Sequence, residues 1–258
     1  MRTLVVLAAV LAVTSAALAG PTLEAMKLTN RVPVIDGKVA GDRAWEGAAE
    51  ATGFTLLGKP DTPATRATKA MCAYNDRSIY VAFVCDEPDM VSLVTKVTET
   101  DGQVYLDDCV EVFIAPFADR ARYYHFVVNA AGVLRDEVGQ DATWNSGARV
   151  AAAKGDQSWS AEIAIPLAAL DLDHTVGTVW AANFCREQQP AGEVSSWAPC
   201  KSGFHEPASF GEITGVAPKI APLVAGTLRG KINTLAAELA AIRGQANGYA
   251  VELSQARA

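Results

Sequence analysis

The stretch Asp108-Cys109-Val110-Glu111-Val112-Phe113-Ile114 decides the fold. Read with the two-residue period of a β-strand, it sends Val110, Val112 and Ile114 to one face and Glu111 and Phe113 to the other. A second run, Tyr124-His125-Phe126-Val127-Val128-Asn129, divides the same way, with Tyr124, Phe126 and Val128 opposite His125, Val127 and Asn129. Each strand therefore has an aliphatic or aromatic face for a core, and the polar groups point away from it.

Outward from this pair the signals remain those of strands. Thr68 to Tyr74 and Ile79 to Cys85 are β-rich runs parted by the turn-forming Asn75-Asp76-Arg77-Ser78, a hairpin. Further strand candidates are Gly132 to Glu137, Ala148 to Ala153, Trp159 to Ile165 and Val179 to Arg186, with a short proline-started helix at Pro166 to Leu170. Phe54 to Leu57 is expected to be a strand and Gly58 to Pro63 a loop. Val34-Ile35-Asp36-Gly37 leads into a turn, and Asp42-Arg43-Ala44-Trp45 into a helical start whose Trp45 is expected to plug one end of the core. Many short strands with irregularly spaced turns indicate an all-β fold, an antiparallel, jelly-roll-like β-sandwich, and not a parallel α/β sheet.

The two ends of the chain read differently. Met1-Arg2-Thr3, an apolar run from Leu4 to Val13 and the small residues up to Ala19 form a secretory signal peptide over residues 1–19. The run is too short for a bilayer, and no later stretch reaches the roughly 18 uninterrupted apolar residues of a membrane span. The expectation is a secreted or periplasmic protein without a membrane span, with the sandwich over 20–217 and a helical tail over 218–258. In the tail, Leu228, Ile232, Leu235, Leu239, Ile242, Ala246 and Tyr249 recur at alternating spacings of four and three, an additional C-terminal α-helix with a heptad-like stripe. Such a helix either lies against its own domain or self-associates as a short coiled coil.

Composition excludes several functions. A formal net charge of -7 leaves no basic surface for a phosphate backbone, so no nucleic acid is expected as a partner. The five cysteines contain no C-x-x-C pair, which argues against zinc; a Cys185–Cys200 bridge and buried free thiols are both open. There is no G-x-S-x-G elbow, no H-E-x-x-H helix and no glycine-rich phosphate loop, and His125, His174 and His205 lack ligand spacing. The acids are too many to single out a glycosidase pair. Asp107-Asp108 and Asp86-Glu87-Pro88-Asp89 are the oxygen-rich loops where calcium is a candidate, with turn capping as the alternative.

From Val34 to Ile213 the sequence resembles the family 9 carbohydrate-binding modules. The resemblance is carried, in order, by Val34-Ile35-Asp36-Gly37 with Ala44-Trp45, by Ile79 to Phe83, by Asp108 to Ile114 and by Phe126 to Asn129. It continues through Trp159 to Pro166, Ala182 to Arg186, Ser196-Trp197 and Pro207-Ala208-Ser209-Phe210-Gly211. In the family two aromatic rings clamp a sugar, one of them six residues before the acid of the D-x-V-E-I-F-I strand. The resemblance places these rings at Tyr105 and, shortly before the P-x-x-F-G segment, at Phe204. Sugar rings stack their C–H faces on aromatic surfaces and need polar partners for their hydroxyls. Glu111, turned away from the core, is the expected acceptor. The family's arginine on the following strand is replaced by Val127, so its preference for free reducing ends of glucans and xylans does not carry over by residue. Arg186 falls opposite Asn183 by strand parity, and Asn183, His125 and Asn129 are taken as the remaining contacts.

The function so implied is non-catalytic binding of polysaccharide or oligosaccharide, supporting attachment or breakdown outside the cell. Two other roles are compatible with the residues: an accessory subunit of a glycoside hydrolase, and a haem-binding electron-transfer sandwich with Met71 and His125 as ligands.

Overall fold

The computed structural model describes residues 20–255; the expected signal peptide lies outside the described residues. Two mostly antiparallel sheets face each other, followed by the helix Ile220–Gln255, the one α-helix among the described residues. In the first sheet Leu134–Val138, Tyr124–Asn129, Cys109–Ala115 and Val179–Gln188 lie side by side, and Glu193–Ser196, Thr55–Leu56 and Lys59–Pro63 continue it to one edge. Gly211–Thr214 pairs with the start of Val179–Gln188, and Thr22–Glu24 runs parallel beside it. The second sheet orders Arg149–Lys154, Ser158–Pro166, Ser78–Asp86, Thr68–Tyr74 and Met26–Lys27, with Glu50–Ala51 also on Thr68–Tyr74. No helix among the described residues is long and apolar enough to cross a membrane.

The predicted parity holds in both deciding strands. Val110, Val112, Ile114, Tyr124, Phe126 and Val128 all enter the core between the sheets, where they meet Val81, Phe83, Trp159, Ile163 and Phe184. Trp159 and Trp197 are core residues, as expected. The hairpin turn is closed by Asn75, whose side-chain oxygen accepts the amides of Arg77 (2.8 Å) and Ser78 (2.9 Å). One expected loop is a strand: Lys59–Pro63 forms an exposed edge, where Pro60 and Pro63 remove donors that no neighbour needs.

Trp45 does not plug the end of this core. It follows the 3-10 turn Arg43–Trp45, capped by Asp42, and packs on the outer face of the second sheet with Val39, Met71 and Tyr80. There Glu162, fully buried, accepts the indole N–H of Trp45 (2.9 Å) and the amides of Asp36 (3.2 Å) and Gly37 (3.0 Å). One carboxylate thus ties the N-terminal segment to the sheet. Gly37 has φ +81°, and a Cβ there would lie 2.4 Å from the carbonyl carbon of Ala152. Gly37→Ala is therefore expected to cost about 2–4 kcal/mol, from overpacking plus left-handed strain. A denaturant midpoint unchanged from wild type would contradict this.

Candidate functional site

The outer face of the first sheet is covered too, and its cover carries the rings. Strand pairing arranges the outward side chains as a grid: Phe113 lies opposite His125 and Asn183, Glu111 opposite Val127 and Cys185, and Cys109 opposite Asn129 and Glu187. Two loop segments fold over this grid, and an asparagine holds each one. Asn129 donates to the Val97 carbonyl (3.0 Å) and to Asp107 (2.9 Å), and its oxygen accepts the Val133 amide (2.8 Å). Asp107 in turn accepts the amides of Lys96 and Val97, which fixes the turn Val104–Leu106 that carries Tyr105. Asn183 donates to the Ala198 carbonyl (2.9 Å) and accepts the Ala198 amide (2.9 Å), which pins the segment leading to Phe204.

Between the two loops lies a cavity of about 280 Å³. Tyr105 and Phe204, distant in sequence, both line it, together with Glu111, His125, Glu187 and His205. Of the six predicted contact residues, four meet here. Asn129 and Asn183 do not: their polar atoms are spent on backbone and carboxylate partners, so they position the rings and leave nothing for a ligand. Glu187 and His205 escaped sequence reading. Glu187 sits two residues beyond Cys185 on the same strand face, so parity counted along a longer strand would have found it; nothing local marks His205. Larger depressions exist elsewhere, such as one of about 500 Å³ beside Arg122, but Arg122 there already pairs with Asp171 (2.9 Å).

The polar wall is an alternating charge array. His125 stacks on Phe113 (4.0 Å, 11°) and contacts Glu111 through Nε2 (2.7 Å) and Glu137 through Nδ1 (3.2 Å). Burial opposes a charge on this ring, but the hydrogen bonds and charges of Glu111 and Glu137 outweigh it and raise the His125 pKa. A carboxylate on each nitrogen calls for two ring protons, so the imidazolium donates to both. Glu137, bonded to His125 and to Arg135, is held down at about 2. The Arg135 guanidinium also sits 5.7 Å from the Tyr105 ring centre, backing the first ring with a cation–π contact. On the other side, desolvation and the charge and hydrogen bond of Glu111 push Glu187 up to about 8. The pocket therefore offers Glu187 as a neutral carboxylic acid beside Glu111. His205 is lowered by burial and by the charge of His125, so its neutral Nδ1 accepts the Tyr123 hydroxyl proton (2.9 Å).

These shifts set a pH dependence. Glu187 and His125 hold protons more tightly in the folded chain, so their stabilisation is complete below their unfolded values and is lost as pH rises through the folded ones. Glu137 has the opposite sign: its contribution is present above 4.5 and is lost as pH falls toward 2. The thermal midpoint is expected to decline between about pH 5 and pH 8, and Glu187→Gln to flatten that decline. An equal slope in both proteins would contradict the assignment.

Cofactor expectations are narrowed by the same contacts. His125, Glu137 and His205 bring ligand atoms within 4.8 Å of one another. Tetrahedral zinc needs ligands about 3.4 Å apart, and both nitrogens of His125 are committed to carboxylates, so these residues do not fit that metal. The calcium candidates are capping groups: Asp107 and Asp108 accept backbone amides, and Glu87 accepts from Arg186 and Gln188. Met71 and His125 belong to different sheets and different side-chain clusters, which separates the two conceived haem ligands. Cys185 and Cys200 share one cluster but are free thiols, like Cys72, Cys85 and Cys109, and burial raises the pKa of all five. Arg186 points to the opposite face, where it meets Glu87 (3.3 Å) and the Asp86 carbonyl (2.9 Å).

The family model of carbohydrate family 9 binding domain-like proteins matches residues 35–216. The chain belongs to this family. Among solved structures, a carbohydrate-binding protein of Bacteroides uniformis, so described only provisionally, matches at 21% identity with a TM-score of 0.59, covering 76% of this chain and 99% of that one. A family 9 module of Caldicellulosiruptor kristjanssonii in complex with cellotriose matches at 19% identity and TM-score 0.53, covering 74% and 93%. The same organism's module with glucose gives 20% and 0.51, covering 77% and 100%. At these identities the likeness establishes the β-sandwich fold alone. No curated protein matches the chain.

Proposed function

We propose that this family 9 protein binds polysaccharide or oligosaccharide without catalysis, at the cavity between Tyr105 and Phe204. The observation that carries the reading is the meeting of two aromatic rings from separate loops over a carboxylate pair. The rings offer apolar faces to a sugar, Glu111 accepts hydroxyl protons, and neutral Glu187 donates one. At about 280 Å³ the cavity is at the small end of ligand pockets, which suits one sugar unit or a chain end. The two Caldicellulosiruptor modules, holding cellotriose and glucose, support the ligand class.

The reading is non-catalytic because Glu111 and Glu187 stand side by side on adjacent strands of one sheet face. Glycosidase carboxylates stand about 5–10 Å apart on either side of the scissile bond, and two groups on one wall of a cavity do not flank it. Any breakdown of the bound carbohydrate falls to a separate hydrolase, for which this protein serves as an attachment or accessory factor. Residues 1–19 act as an export signal, placing the sandwich in the periplasm or the medium; the net charge of -7 keeps nucleic acid away, and the C-terminal helix mediates self-association. Calorimetric titration with soluble glucans, xylans and small sugars tests the reading: saturable heat with at least one is expected, and none with any would overturn it.

A further inference from the structure

The helix Ile220–Gln255 touches the sandwich near Leu167–Leu170 and at its N-terminal approach, where Lys231 comes within 4.0 Å of Asp171 and Lys219 pairs with Asp76 (2.9 Å). Its apolar stripe does not lie on its own domain: Leu228, Ile232, Leu235, Leu239 and Ile242 are each 49–64% exposed. A helix in that state is poorly supported. Gly226, Gly230 and Gly244 each cost about 1 kcal/mol relative to alanine, and most helical stability comes from packing an apolar face. The stripe calls for a partner.

We propose that the partner is a second copy of this chain, joined in parallel and in register as a coiled coil. The alternating four-three spacing puts Ile232 and Leu239 at a positions and Leu228, Leu235 and Ile242 at d positions of a heptad. Within a parallel coil, isoleucine at a between leucines at d, as at Leu228-Ile232-Leu235, favours two strands, while Leu239 at a with Ile242 at d favours more, so the solution mass decides the number of copies. The flanking charges choose the same orientation. Glu238 falls at g and Arg243 at the following e, and in a parallel pair each g meets the e five residues on in the other copy. Two symmetric Glu238–Arg243 pairs result. An antiparallel pair that keeps the same layers, Ile232 on Ile242 and Leu235 on Leu239, sets Glu238 against Glu238 and Arg229 against Arg243. That arrangement opposes like charges at both of these contacts and leaves Lys231 beside Gln245. A membrane surface suits the helix less, because Arg229, Lys231 and Arg243 are separated by Ala236, Ala237, Ala240 and Ala241 and offset by Glu238, unlike the Lys/Arg-rich polar face of a membrane-lying helix.

Parallel pairing sets both sandwiches at the same end of the coil. Resting on the carbohydrate reading, this lets two cavities engage one polymer, which raises apparent affinity for polymer over monomeric sugar by about 10²–10⁴-fold.

The test is the mass of the full chain in solution, which requires no sugar and so stands apart from the binding claim. Sedimentation is expected to give twice the monomer mass, and Leu235→Glu with Leu239→Glu to give a monomer with the sandwich's circular dichroism intact. Ile242→Cys should form a disulfide-linked dimer on oxidation, since d meets d only in a parallel pair, whereas the wild type, whose five thiols are buried, should not. A monomer at about 50 µM, where a pair with a dissociation constant of about 1 µM (about −8 kcal/mol) is mostly assembled, would overturn the proposal. A dimer indifferent to the double replacement, no cross-link at position 242, or a monomer that co-sediments with phosphatidylglycerol vesicles would do the same.

Discussion

Glu87→Ala is expected to destabilise the protein by about 3–5 kcal/mol, the usual result of stripping one partner from a buried ion pair. Glu87 and Arg186 are both essentially inaccessible to solvent. Arg186 donates to Glu87 (3.3 Å), to the Asp86 carbonyl (2.9 Å) and to the Ala67 carbonyl (3.3 Å), while its Nε has no partner at all. Without the carboxylate, a guanidinium remains between the sheets with neutral oxygens only. Gln188, which also donates to Glu87 (2.8 Å), loses its acceptor as well. At roughly 2–4 °C per kcal/mol for a domain of this size, the midpoint should fall by on the order of 10 °C. Glu87→Ala combined with Arg186→Met should recover part of the loss, because the pair stabilises mainly by avoiding an unpaired charge. A loss below about 1 kcal/mol for Glu87→Ala would mean that the cation is solvated in a way the contacts do not show.

Removing the rings should have the largest effect on binding. Tyr105 is 36% exposed at a loop tip, so Tyr105→Ala should leave the fold intact and weaken sugar binding about 10–30-fold, or roughly 1.4–2 kcal/mol. Phe204 contributes on both counts, since it also packs with Phe113, Cys200 and Phe210; Phe204→Ala should lower the midpoint as well as the affinity. The double variant is expected to show no measurable heat with sugars that titrate the wild type. Affinity unchanged in Tyr105→Ala, with circular dichroism normal, would remove that ring from the site.

How much of this was legible depended on whether a face of a strand met one environment or two. The inner faces were readable because Val110, Val112 and Ile114 meet only the opposite sheet. The outer faces were harder, because Cys109–Ala115 is buried at every position: Phe113 and Glu111, outward by parity, lie under the loops that carry Tyr105 and Phe204. The same covering turned Asn129 and Asn183 from expected ligand contacts into anchors, since a buried amide satisfies the nearest backbone first. The second sheet has its own cover, the N-terminal segment: Trp45 lies on the outside of that sheet and not at the end of the core, with its indole held by Glu162. The segments that carry the family resemblance have plain physical causes. Gly37 admits no Cβ beside Ala152, and Gly211 none beside the Pro21 carbonyl (2.5 Å) and Trp197 (2.7 Å). The tail stripe was visible in the spacing alone, but whether it lies exposed or on its own domain depends on where the helix leaves the sandwich, which no local pattern encodes.

The central claim is a location, and one measurement addresses it directly: a crystal structure of the protein with the sugar that gives the largest calorimetric signal. The account predicts a sugar ring between Tyr105 and Phe204, with hydroxyls in hydrogen-bond reach of Glu111 and Glu187. A sugar bound elsewhere, for instance in the depression beside Arg122 and Asp171, with the cavity between the two rings still empty, would contradict it.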